Sequence, residues 1–109
     1  MGPDIPDLTI ADVVTSVAGR DAGQLFYVIQ ADDMYVYLVN GKDRTIEKPK
    51  KKKRKHTNKV LRSETRVAKK LRQGDKVLNS ELRRDLAYIG QELQSKMPLE
   101  VNELWQKTT

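Results

Sequence analysis

The sequence predicts a mainly β chain with α, a small antiparallel barrel followed by two helices. Three observations carry that expectation. Short segments dense in Val, Ile, Tyr and Phe follow one another before residue 41, too close together for crossover helices, so they must pair antiparallel. From Ser63 onward the apolar residues recur at helical steps instead. At 109 residues the chain makes one domain, and a barrel of five short strands would use most of its apolar residues.

Residues 1–8 read as a flexible N-terminal arm. DVVTSV (Asp12 to Val17) is the first strand, and AGRDAG (Ala18 to Gly23) is a loop. LFYVIQA (Leu25 to Ala31) and MYVYLVN (Met34 to Asn40) are the next two strands, with Asp32-Asp33 as a two-residue hairpin turn between them. Asn40-Gly41 is a further turn signal. A fourth strand is expected over Arg44 to Lys48, stopped by Pro49, which cannot donate to a ladder. A fifth is expected over Thr57 to Leu61. Curling such a sheet protects its edges. Alternation puts Phe26, Val28, Val36 and Leu38 on the core face. It turns Tyr27, Tyr35 and Tyr37 to the other, where the helices would cover them; on an exposed sheet face they would instead be stacking platforms.

Ser63-Glu64 opens a helix with Val67, Ala68 and Leu71 along one side, and Gly74 ends it. Asn79 or Ser80 caps a second helix, supported by Glu81 in its first turn. Leu82, Leu86, Ile89 and Leu93 form one apolar stripe that serves burial, and Pro98 closes the element. The expected organisation is thus an arm (1–8), a barrel (9–62) with a basic loop at 48–56, a helical extension (63–97) and a tail (98–109) carrying Trp105.

Charge is distributed unevenly. Residues 1–41 hold one cation, Arg20, against six acids; residues 42–72 hold fifteen cations against three acids; residues 73–109 hold five against six. Within the basic zone KPKKKKRKH places seven cations in the eight positions from Lys48 to Lys55. Such a zone calls for a polyanion meeting one face, with nucleic acid ahead of an anionic membrane surface. Phosphates relieve the mutual repulsion of the cations and release condensed counterions, so binding should depend steeply on salt.

Several functions are disfavoured. With no cysteine and a single histidine, His56, the chain lacks the ligands for a thiolate or zinc site and the parts of a Ser-His-Asp triad. Asp32-Asp33 lies in a solvated turn without the environment for acid/base work. MGPDIPDL lacks the cations and apolar run of a signal peptide, and no window is apolar enough to span a membrane. No enzyme, cofactor, metal or small-molecule substrate is expected, and the chain reads as cytoplasmic.

VVTSVAGRDAGQLFYVI (Val13 to Ile29), NGKDRTIEKPKKK and the pair Lys55-His56 together resemble the KOW-motif RNA-binding proteins. More narrowly, they resemble the KOW-containing fourteenth large-subunit ribosomal protein family of archaea and eukaryotes and its short bacterial relatives. The matching positions are Ala18, Gly19, Arg20, Asp21, Gly23, Gly41, Arg44, the run Glu47 to Lys52, and Lys55-His56. Lys53 and Arg54 depart from the family pattern by making the run more basic, and Thr57 replaces an apolar position.

The resemblance implies an SH3-like barrel seated on structured ribosomal RNA. The expected partners are therefore large-subunit rRNA and the ribosome. The expected contacts are Lys48, Lys50, Lys51, Lys52, Lys53, Arg54, Lys55 and His56, aided by Lys42, Arg44, Lys59 and Arg62. Gly19, Arg20 and Gly23 are expected to approach the RNA backbone closely. Two alternatives stand beside this reading. One is an SH3-like module binding protein partners through an aromatic groove. The other is a nuclear protein whose basic run is an import signal.

Overall fold

The computed structural model describes residues 8–17, 19–20 and 22–108, with 96–108 described by backbone alone. Its sheet contains β1 (Asp12–Ser16), β2 (Leu25–Ala31), β3 (Tyr35–Val39), β4 (Lys50–Lys53) and β5 (Thr57–Arg62), ordered β4-β3-β2-β1-β5 with every pair antiparallel. Helices α1 (Arg66–Gln73) and α2 (Asn79–Thr108) follow. The expected mainly β architecture with two C-terminal helices is what forms.

The outermost strands, β4 and β5, are joined only by a 3-10 turn, Arg54–His56. Five strands laid flat would separate them by roughly 19 Å. Three linking residues can span no more than about 14 Å. The sheet therefore curls as in an SH3-like barrel, but β4 and β5 do not pair and it stays open.

Two cores sit on opposite faces of this sheet. Inside the curl, Leu8 packs with Val14, Phe26, Val28, Val36 and Leu38. On the outside, Val13, Tyr27 and Val39 meet Val67, Ala68, Val77, Leu82, Leu86 and Ile89 from the helical extension. Burial on both faces explains why LFYVI shows no polar alternation. The register shift between Val28 and Gln30 is a bulge at Ile29, which moves Gln30 to the outer face opposite Tyr37.

Gly41 fixes where α2 docks. Its φ is +77°, and a Cβ there would fall 2.2 Å from the Asn79 carbonyl oxygen, so no side chain fits. Arg83 Nη1 donates to the Gly41 carbonyl at 2.6 Å. Asn79 ties the same loop to the helix by accepting from Ile46 N–H (2.9 Å) and donating to Glu47 (2.9 Å). That bond holds the Glu47 carboxyl below its ordinary range.

Several expectations are corrected. Residues 44–48 form no strand, because their backbone is used locally. Asn40 and Gly41 N–H donate to the Arg44 carbonyl, Asn40 Oδ1 accepts from Lys42 and Arg44 N–H, and Lys48 N–H donates to the Thr45 carbonyl. The fourth strand begins after Pro49, so residues 48–56 are not a basic loop: they contain β4 and the 3-10 turn. The β2–β3 turn has three residues, Asp32 to Met34, since Asp32 Oδ1 accepts from Met34 and Tyr35 N–H. Those two bonds hold the Asp32 carboxyl below its ordinary range.

Helix α1 starts at Arg66 rather than Ser63-Glu64. Thr65 caps it by accepting from Ala68 N–H at 3.2 Å, and Gly74 ends it at φ 76° as expected. In α2 neither Asn79 nor Ser80 is the cap. Leu78 precedes the first helical residue, and Glu81 reaches back to accept its N–H at 2.9 Å. Glu81 is kept below its ordinary pKa by that bond and by Lys70. Pro98 does not close α2: losing one N–H donor removes one bond from a helix that otherwise continues. Leu8 is buried rather than part of a loose arm. Residues 1–7, Ala18, Asp21 and the Trp105 side chain lie outside what is described.

Candidate nucleic-acid interface

The loop after β1 and the basic strand meet at one corner. Val17 N–H donates to the His56 carbonyl at 3.0 Å, and Gly23 N–H donates to the Ser16 carbonyl at 3.2 Å. Gly19 and Gly23 have φ of +83° and +87°, conformations that side-chain-bearing residues adopt only under strain. A Cβ on Gly19 would lie 3.8 Å from Lys52 Nζ. Residues more than thirty positions apart are thus adjacent: the bare loop backbone, exposed Arg20, Lys52 and His56.

Strand geometry splits the lysine run. Lys50 and Lys52 pair with Leu38 and Val36, so they share the face of the inner core and are half-buried. Lys51 and Lys53 pair with Tyr37 and Tyr35 on the outer face and are exposed. Lys51 Nζ sits 4.3 Å from the centroid of the Tyr35 ring, a cation–π contact that orders the side chain.

The remaining expected contacts are dispersed. Arg54 Nη1 donates to the Asp32 carbonyl at 2.6 Å and its N–H to Met34, so it braces the hairpin, with Lys55 exposed beside it. Lys59 pairs with the buried carboxylate of Asp12 at 3.3 Å. Arg62 pairs with Glu64 at 3.2 Å, across from Asp12 at the opposite end of β1 from the loop. Lys42 and Lys48 are exposed and Arg44 half-buried in the β3–β4 connection.

Two residues absent from the expected set border this surface. Arg83 lines an open depression of about 330 Å³ with Lys42, Gln24 and Asn40. No sequence signal marks Arg83, because its position depends on how α2 docks against Gly41. Gln30 reaches the Tyr37–Lys51 row only through the bulge at Ile29.

Of the three tyrosines expected beneath the helices, Tyr27 joins the core they form, whereas Tyr35 and Tyr37 stay half-buried outside it. Tyr27 is fully buried beneath the helices, and its hydroxyl meets Ser63 (2.9 Å), Thr65 (3.2 Å) and the Asp85 carboxylate. Burial first, then the Asp85 bond, pushes its phenol up to about 12. It is a structural latch.

No family model and no curated protein matches the chain. Among the described residues, no group of three or more His, Cys, Asp or Glu is placed to hold a metal ion. Among the same residues, no helix is long and apolar enough to cross a membrane.

Proposed function

We propose that this chain is a non-enzymatic RNA-binding protein of the KOW type. It would act in the cytoplasm on the ribosome or its large-subunit RNA. The observation that carries the reading is the corner where the Gly19–Gly23 loop meets Lys52. A bare backbone, which a phosphate can approach closely, lies against a fixed cationic strand. The likeness in AGRDAG and EKPKKK supplies the ribosomal part of the proposal. Because phosphate contacts position without specifying, selectivity would come from RNA shape.

The strand also weighs against the import-signal alternative. A receptor that reads an extended basic peptide would have to detach β4 from β3, to which all four of its lysines are registered.

Salt titration of RNA binding tests the proposal. If roughly six cations each neutralise a phosphate, log affinity should fall with log salt at a slope of about −4 to −5. Replacing Lys51, Lys52 and Lys53 by Gln should flatten it by roughly 2. An unaltered slope in that variant would count against phosphate binding by β4. Sedimentation of a lysate on a sucrose gradient, at low and high salt, tests the ribosome: the protein should travel with large subunits at low salt.

A further inference from the structure

We infer that the outer face of β3 and β4 is a stacking platform for unpaired RNA bases, distinct from the phosphate-contacting corner. The inference rests on the RNA-binding reading and names the form of RNA bound. Its basis is a row, Gln30–Tyr37–Lys51, laid across three neighbouring strands, with Tyr35–Lys53 as the row beside it.

These residues share their face with Val39 and Tyr27, yet the helices cover only part of that face. Tyr27 and Val39 belong to the outer core, whereas Tyr35 and Tyr37 join neither core and stay half-buried, flanked by exposed Lys51, Lys53 and Gln30. Two aromatic rings between cations make poor sense as a hydrophobic patch. They suit a ligand that offers a π-face and a negative charge together, which a nucleotide does.

Spacing decides between paired and unpaired RNA. Residues 35 and 37 are two apart on one strand, so their rings rise roughly 7 Å apart. Successive bases in a duplex strand are about 3.4 Å apart. Neighbouring nucleotides can each reach a ring only when they are pulled out of the continuous stack, as in a loop, bulge or single strand. The Gln30 amide can then meet a base edge, while Lys51 and Lys53 meet the flanking phosphates.

The test compares a fluorescently labelled, unstructured 12-nucleotide RNA with a 12-base-pair RNA duplex of the same composition, by anisotropy at fixed salt. Wild-type protein should prefer the single strand. A double variant, Tyr35→Leu with Tyr37→Leu, should lose about tenfold or more in single-strand affinity. It should change duplex affinity by no more than about twofold and leave the duplex salt slope unaltered, because every cation is kept. Tyr35→Phe with Tyr37→Phe should restore binding, since the rings remain.

A Leu variant that binds the single strand like wild type, or loses both RNAs equally, overturns the platform. Should the Leu variant fail to fold, ultraviolet cross-linking of wild-type protein to the single strand replaces it. An adduct within residues 35–37 supports the platform, and adducts confined elsewhere overturn it. If wild-type protein binds neither RNA, the RNA-binding reading falls as well. Salt-sensitive binding with indifferent tyrosines removes the platform alone.

Discussion

Strands β2 and β4 obey the same alternation and serve opposite ends. β2 lies in the middle of the sheet with Phe26 and Val28 sealed in one core and Tyr27 in the other. β4 lies at the edge, offers only lysines, and leaves two of them exposed. Lysine is a weak strand former, so β4 takes its conformation from β3 and from the Arg54–hairpin bonds rather than from its own residues. An edge of lysines also resists pairing with other chains. The contrast separates two jobs: residues around β2 hold the fold, and residues on β4 present charge without stabilising it.

Changes that attack the cover over β2 should do most damage. Gly41→Val forces a side chain into the Asn79 backbone at a φ of +77°, and should cost more than about 4 kcal/mol or prevent folding. Thermal melting with far-ultraviolet circular dichroism would show this; a stable variant would mean that α2 docks some other way. Leu86→Ala should cost about 2–5 kcal/mol in urea unfolding, the range for an emptied core site.

Tyr27→Phe should cost about 1–3 kcal/mol, because Asp85 loses a buried donor. It should also change the alkaline response. In the wild type the folded phenol titrates near 12 and the unfolded one near 10. The unfolded state therefore releases its proton first. Stability from this group is complete below pH 10 and is lost as pH rises toward 12, by on the order of 2 kcal/mol. Subtracting the Phe variant's stability curve from the wild type's isolates that loss, and parallel curves would deny the latch.

Gly23→Val sharpens the contrast within the glycines. Its φ is +87°, but nothing lies within 4 Å of its Cβ position, so the cost should be only conformational, about 1–2 kcal/mol. Smallest of all, Lys51→Gln with Lys53→Gln should shift stability by no more than about 0.5 kcal/mol while weakening RNA binding. A large loss of stability there would erase the distinction between β2 and β4.

Elements whose local chemistry suffices were legible without coordinates. The β-branched runs of β1 to β3, the stop at Gly74 and the stripe of Leu82, Leu86, Ile89 and half-buried Leu93 all lie where their patterns put them. Boundaries set by competing hydrogen bonds were not. Thr65 caps α1: both the Ser63 and the Thr65 hydroxyls join the Tyr27 cluster, and Thr65 also accepts from Ala68 N–H in the first turn; the strand expected at 44–48 gave way to a turn built on Asn40.

Residue order alone puts fifteen cations within residues 42–72 and a glycine-bearing loop between the first two strands. What each of those cations faces depends on the folded chain. The 3-10 link curls the edge strand until Lys52 meets Gly19, the pleat sends Lys51 and Lys53 to the tyrosines, and buried Asp12 takes Lys59 for itself. The reason is physical. Charge count is a sum over residues, whereas a binding surface depends on direction, and direction is set by strand register, a bulge and the contacts that place a helix.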